Sequence, residues 1–406
     1  MVNEKQINDL NKYHWFNESD GVSIKICPKF REHIFKIALK KAKTMTNLSK
    51  HTKLSKQTLF NQMYGKSMNV KGLKTLLKFT NIDFMEAYDH INEMGWNKFK
   101  LPIKLDNKDS AILFAAILGD GSNTTRVMYK NKDKALINKV ENSVKQLLNG
   151  AIIDRRVSSI GIPYINLPSI TGRILNFVGI PSGKQTISNP CVPEVIKESN
   201  KSVKKAFIQQ FFDDEGWPEP NQMKIATAQG IDCTQELNIE FLNSLKDKRI
   251  LYLNSIPNEI KDKLKPPKLF IDIKTMLNKD FNIFSSIRLK RLLVYTERAT
   301  AMFELEIQRK EDVKRFVKEI NFSAPRKKEK AEFMINRSRE FPLNITLLII
   351  NEAIIISGGD GYFLAHEIAK NLGFPQAPIR KRLTTLVKKG VFDKKGEKYF
   401  VNVINY

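Results

Sequence analysis

The residues best suited to chemistry lie in two short stretches, "LFAAILGDGS" from Leu113 and "FIQQFFDDEGWP" from Phe207. Each runs an apolar helical pattern into an acid followed by glycine, and the acids in register are Asp120 and Glu215. The first helix has a start signal at Asp106, with Asp109 three residues on, ahead of the apolar run Ala111 to Leu118. The second begins near Lys201. A carboxylate at a helix C-terminus meets the negative end of the macrodipole and is disfavoured by a few tenths to about 1 kcal/mol. Two such ends side by side repel unless a cation lies between them. A hard divalent cation such as Mg²⁺ takes oxygen ligands, usually one or two carboxylates together with waters and substrate phosphate oxygens. Asp120 and Glu215 are therefore the expected metal ligands. Gly121 and Gly216 can adopt positive φ at the helix ends, and Ala115, Ala116 and Gly119 leave room for two helices to approach.

Elements of both kinds must position this pair. Strand-like runs occur at "RVMYK", "PYINL", "MKIATA", "FSSIRLKRLLVY" and "AMFELEIQ", interleaved with helical patterns, so the centre of the chain reads as α+β. The two acidic motifs head two halves of similar length, which suggests an internal duplication.

At these residues the chain resembles the LAGLIDADG family of homing endonucleases, in the form that carries two motifs on one chain. "LFAAILGDG" and "FIQQFFDDEG" match the family's motif register, and "GIPSGKQTISNPCVPEVIKES" is similar to its usual bridge. The resemblance covers residues 105–325, in halves of about 105–200 and 201–325. It implies a duplicated αββαββα saddle over double-stranded DNA, with Asp120 and Glu215 binding the metal and acting in cleavage. Leu118 stands where the motif usually has Asp, and Gln209 and Gln210 stand where small residues let the helices touch, which predicts a looser second helix. For a cleft lysine it leaves Lys184 in "SGK" and Lys327 or Lys328 in "RKKEK". On the strands, Arg126, Lys130 and Arg155 are candidates to contact DNA.

The composition agrees with a polyanionic partner. Lys and Arg number 68 against 43 Asp and Glu, a formal net charge of +25 over 406 residues. A membrane partner is disfavoured, because the N-terminus lacks the order of a signal peptide and the apolar run from Ile345 is broken by Asn351 and Glu352. The expectation is a soluble, cytoplasmic, nucleoid-associated protein, monomeric because both motifs lie on one chain. Cys27, Cys191 and Cys233 offer neither a disulfide framework nor zinc-ligand spacing, and His14, His33, His51, His90 and His366 are too scattered to catalyse.

Both flanks read as DNA-binding modules. After an N-terminal extension over 1–29, residues 30–94 resemble the helix-turn-helix domain of phage-repressor-like regulators, with a turn near Lys53-Leu54 and Ser55 capping the recognition helix. That helix sends Leu59 and Met63 inward, and Lys56, Gln57, Asn61 and Gln62 outward to a major groove. Gly95 and Pro102 mark a linker and a boundary near 100, and the charged stretch 323–340 reads as a second, loop-like linker. Residues 341–406 have the element order of a winged helix. Its recognition helix starts near Pro378, carries Arg380, Lys381, Arg382 and Lys388, and turns Leu383 and Leu386 inward. A hairpin wing carries Lys394, Lys395 and Lys398.

Two functions from different classes fit these readings. One is sequence-specific DNA binding with metal-dependent cleavage, and the other is a non-cleaving regulator built on the same scaffold. Persistence of both acids favours the first. An intein is disfavoured, because the chain begins Met1-Val2 and ends Ile404-Asn405-Tyr406 rather than with a nucleophile and His-Asn.

Overall fold

The structure, a computed structural model, describes residues 12–13, 17, 20–87, 90–94, 103–237, 250–295, 298–337 and 344–402. His14, Gly95, Pro102 and Ile404–Tyr406 lie outside the described residues. Polar caps set the helix starts. Side-chain oxygens of Thr44, Ser55, Asn69, Asn107, Asp133 and Asn200 each accept a backbone N–H of the first turn. The first motif helix spans Lys108–Leu118 and starts one residue later than expected. Asn107, not Asp106, caps it, because Asn107 and Ser110 satisfy each other's backbone N–H reciprocally. Every residue from Leu113 to Leu118 is buried, so this helix is apolar all round. The second motif helix spans Lys201–Glu215.

A strand follows each motif acid. The first sheet has the order Gly121–Asn123, Val127–Lys130, Pro163–Asn166, Asp154–Val157. The second has the order Gly216–Glu219, Lys224–Asp232, Ala299–Ile307, Ser286–Val294, Ile250–Tyr252. All pairings are antiparallel, and each sheet runs first, second, last, then an earlier strand. The mixed helix-and-sheet class is as expected, and all five strand-like runs are strands. Helices cover one face of each sheet, which buries alternate residues such as Val127, Tyr129, Ile165, Thr227 and Leu305.

Residues Pro28–Ala42, Met45–Thr52, Lys56–Met63 and Val70–Thr80 are helices, with Lys53 left-handed at the turn (φ 57°). The segment set apart as an extension takes part in this module, since Ser23–Ile26 pairs with Met68–Asn69 and with Ile91–Met94. Nor is 100 a break in packing. Tyr13 meets Phe177 edge-on at 5.5 Å, and one continuous core runs from the N-terminal helices into the motif helices.

The chain divides into two compact units, Met1–Ile335 and Asn336–Tyr406. The loop expected over 323–340 is corrected, because Pro325–Arg337 is a helix. Pro is suited to the first helical turn, and Ala331 and Met334 are buried, so a strongly charged sequence still has an apolar stripe. The second unit runs helix Ile345–Asp360, strand Phe363–Leu364, helices Ala365–Asn371 and Gln376–Lys388, then strands Phe392–Lys395 and Lys398–Val401. No helix among the described residues is long and apolar enough to cross a membrane.

Candidate functional site

The two motif helices lie against each other at their C-terminal ends, and the glycines explain how. A Cβ on Gly119 would sit 2.8 Å from the Cβ of Asp214 on the other helix. Gly121 has its Cβ position 2.6 Å from the Ile117 Cα, and that of Gly216 is 2.7 Å from the Phe212 carbonyl oxygen. Positive φ is not the reason for these glycines, for neither Gly121 nor Gly216 adopts it. They are glycine because each strand folds back over the last turn of its own helix. Nor do the glutamines loosen the second helix. Gln210 is fully buried and donates to Asp214 Oδ2 (3.0 Å), and Gln209 donates to the Ile320 carbonyl (2.8 Å).

Four acids converge here. Asp120 Oδ2 accepts from Asn131 (2.7 Å) and reaches solvent. Burial pushes its carboxyl up from the ordinary carboxylate range, against the opposing charge of Lys327. Glu215 is half-buried and rises to about 7, first through burial and then through the charge of Asp120, again opposed by Lys327. Asp214 is raised well above its ordinary value by burial, although Tyr129 and Gln210 donate to it. Tyr129 gives it a 2.6 Å bond, and its own hydroxyl is held protonated by burial and by that neighbour. The Gln210 carbonyl oxygen is buried without a partner. Asp213 differs again. Fully buried, it accepts from the backbone N–H of Ser323 (2.8 Å) and Ala324 (3.0 Å), from the Ser323 hydroxyl, and from Lys139 (3.1 Å).

This clasp fixes the start of the helix Pro325–Arg337, and that helix delivers Lys327. The Lys327 ammonium donates to the carbonyls of Phe212, Asp213 and Asp214, so a cation caps the second motif helix where the macrodipole is negative. Burial lowers its pKa, opposed by the charges of Asp214, Asp213, Asp120 and Glu215. Asp120, Asp213, Asp214 and Lys327 also border a cleft of about 640 Å³, lined further by Lys130, Asn131, Lys132 and Arg326.

Asp120, Glu215 and Lys327 are thus brought together. Lys184 is exposed, caps a short helix and makes no described contact with either acid, and Lys328 reaches only Glu332 at 4.0 Å. Arg126 is exposed in the first hairpin turn, and Lys130 lines the cleft. Arg155 is misassigned as a surface contact, because its strand register turns it to the helix side, where it is bound to Glu141 and Asn138. Its neighbour Arg156 occupies the open face beside Asp154 (2.7 Å). Gln62 is also corrected: it is 3% exposed, so it belongs to the core, while Lys56 and Gln57 are exposed and Gln57 donates to Asn61 (3.3 Å). In the second unit Arg380, Lys381, Arg382, Lys388, Lys394, Lys395 and Lys398 are all exposed, and Leu383 and Leu386 are buried. Tyr129, Asn131, Asp213 and Asp214 were not foreseen as site residues. The acidic run "DDEG" was the available signal for the last two.

No family model matches the chain. The replication factor C small subunit of Methanocaldococcus jannaschii is 25% identical over 289 residues, covering 64% of this chain and 15% of that protein. The chain therefore spans only a small part of that relative's length. Among solved structures, full-length DUF199/WhiA from Thermatoga maritima has a TM-score of 0.33 at 13% identity, covering 70% of this chain and 92% of that one. Mesophilic variants of the homing endonuclease I-DmoI give a TM-score of 0.33 at 14% identity, covering 56% and 97%, and I-DmoI in complex with DNA and Mn gives 0.30 at 14%, covering 52% and 96%. At TM-scores of this size the likeness does not establish a common fold.

Proposed function

We propose that the chain binds double-stranded DNA and cuts its phosphodiester backbone with a divalent cation, as an endonuclease of the LAGLIDADG type. The observation that carries this reading is the meeting of Asp120 and Glu215 at paired helix ends beside Lys327, with both carboxyls held up by burial and Glu215 further raised by Asp120. Carboxylates raised in this way are groups that a cation would stabilise in their ionised form.

The donor set fits Mg²⁺ better than a softer metal. Two carboxylates from separate helices, with no group of three or more His, Cys, Asp or Glu arranged to hold a metal among the described residues, match an ion that keeps waters and borrows phosphate oxygens. Bound there, Mg²⁺ would polarise a phosphoryl oxygen and lower the pKa of water. Asn131 orients Asp120 by engaging one oxygen and leaving the other free. Asp214, engaged by Tyr129 and Gln210 and disfavoured by burial as an anion, holds Tyr129 and the helix end in place. Lys327, fixed by three carbonyls, sets a positive charge where negative charge accumulates on a phosphate. Lys130, Lys132 and Arg326 line the approach to it. The two sheets with matching strand order form the saddle on this reading. Residues 30–94 and 341–406 serve as helix-turn-helix and winged-helix arms, and the protein acts as a monomer.

The test begins with a library of duplexes incubated with Mg²⁺, with sequencing of any ends produced. Cleavage and affinity are then measured on the selected duplex for wild type, Asp120→Asn and Glu215→Gln. The expected result is loss of cutting with binding retained. Undiminished cutting by both variants would sink the metal-site assignment. A wild type inert on its own selected site would favour the regulator.

A further inference from the structure

The open faces of the two sheets differ in charge. On the second sheet, cross-strand register sets Trp217, Ala226, Glu306 and Ser286 in one row and Ala228, Glu304 and Arg288 in the next. Residues of the opposite parity, Thr227, Leu305, Ile225 and Ile307, are fully buried toward the helices. Glu304 and Glu306 therefore occupy the face that a DNA-binding sheet would present, yet they are 7% and 1% exposed. Cations cover them. Lys224 lies 3.0 Å from Glu219, 3.0 Å from Glu304 and 3.7 Å from Glu306. Lys290, in a bulge between Leu289 and Arg291, lies 3.0 Å from Glu304 and bonds Glu306, and Arg288 lies 3.5 Å from Glu306. Trp217 donates to Glu219 and Gln308 to Glu306, so the spare carboxylate oxygens are occupied as well. Three cations and three carboxylates cancel within one patch.

The first sheet has no such patch. Its open rows are Ser122, Met128, Asn166, Asp154 and Lys130, Tyr164, Arg156, with Asp154 as the one carboxylate. Lys130 and Lys132 have no recorded ion pair among the described residues.

We propose that Glu304 and Glu306 are counter-anions, which withhold Lys224, Arg288 and Lys290 from phosphates, so that DNA is held electrostatically by the first half. This rests on the reading that the open sheet faces meet DNA. An already paired cation releases no counterion from DNA, and a carboxylate near the groove repels every sequence alike, so the second half adds little to sequence-independent affinity.

The experiment compares the salt dependence of affinity for the selected duplex and for a random duplex. Freeing cations with Glu304→Gln together with Glu306→Gln should steepen the slope of log affinity against log salt by about one unit per released cation and raise affinity for both duplexes about tenfold. Removing a pair together, Arg288→Met with Glu306→Gln, should leave the slope unchanged, because Lys224 and Lys290 keep Glu304, whereas Lys130→Met should reduce it by about one unit. The paired variant keeps the test alive if the first one fails to fold, and thermal unfolding checks both. A drop for the paired variant equal to that for Lys130→Met overturns the proposal, as does an unchanged slope in a folded Gln variant. A flat salt response in wild type removes the DNA-binding reading and this inference with it. A steep wild type with either of the other failures overturns the inference alone.

Discussion

At the end of the first motif helix stands one acid, and at the end of the second stand three in succession. Asp120 has solvent on one side and Asn131 on the other. Asp213, Asp214 and Glu215 share the same chemistry but not the same surroundings, because successive residues point about 100° apart around a helix. Asp213 points into backbone N–H groups and Lys139, Asp214 into Tyr129 and Gln210, and Glu215 toward Asp120. The lesson is that an acidic run divides into a clasp, a buried hydrogen-bond partner and a group facing Asp120 by direction alone.

The sharpest way to break this division is to compare neighbours. Glu215→Gln and Asp120→Asn should each lower cleavage by about a thousandfold or more, since a neutral amide is a poor ligand for a hard cation. Asp214→Asn should keep most of the activity, because the Asp214 carboxyl is taken up by Tyr129 and Gln210 and burial disfavours its charged form. The opposite ranking would move the ligand role to Asp214. Removing the clasp should act on stability instead. Asp213→Ala leaves Lys139 and two backbone N–H groups without their buried acceptor, a loss of about 3–5 kcal/mol measurable by denaturant unfolding. If Asp213→Ala unfolds no more readily than Asp120→Ala, the clasp is not structural.

The pH response separates the same groups. Glu215 has a folded pKa of about 7 against an unfolded value near 4.5, facing Asp120 and Lys327. In that window the folded state binds more protons than the unfolded chain, so metal-free stability should fall as pH rises from 4.5 to 7, by roughly 3 kcal/mol at most. Added Mg²⁺ should offset the loss above pH 7, because it needs the ionised form. Glu215→Gln should flatten the profile, and a metal-free protein that gains stability over this range would contradict the assignment. The smallest effect is expected at Lys184→Ala, within about 0.5 kcal/mol of wild type and without consequence for cleavage, because this exposed side chain reaches neither acid.

Much of the architecture was legible because it rests on local signals. Asn200 and Ser55 cap helices, Lys53 makes the turn, and alternating runs such as "RVMYK" and "AMFELEIQ" form strands. The pairing of Asp120 with Glu215 was legible because the motif repeats. What escaped depends on long-range contact. Nothing near Asp213 announces Ser323, and nothing in "RKKEK" says that the stretch is a helix until Ala331 and Met334 find an apolar partner. Arg155 and Gln62 were misread for a different reason, as one step of register or rotation decides which side of a strand or helix faces the protein.

The passage from each motif helix to its strand is nearly immediate. Gly119 and Asp120 alone separate the first helix from the strand at Gly121, and nothing separates Glu215 from the strand at Gly216. The closeness of Gly121 and Gly216 to the turn beneath them leaves no slack at either joint. Strand and acid are therefore mechanically one part, like a key whose bit and bow are cut from one blank. In a DNA-cutting protein, a poorly matched sequence that shifts a strand would drag its acid off the scissile position, so fidelity needs no separate checking element.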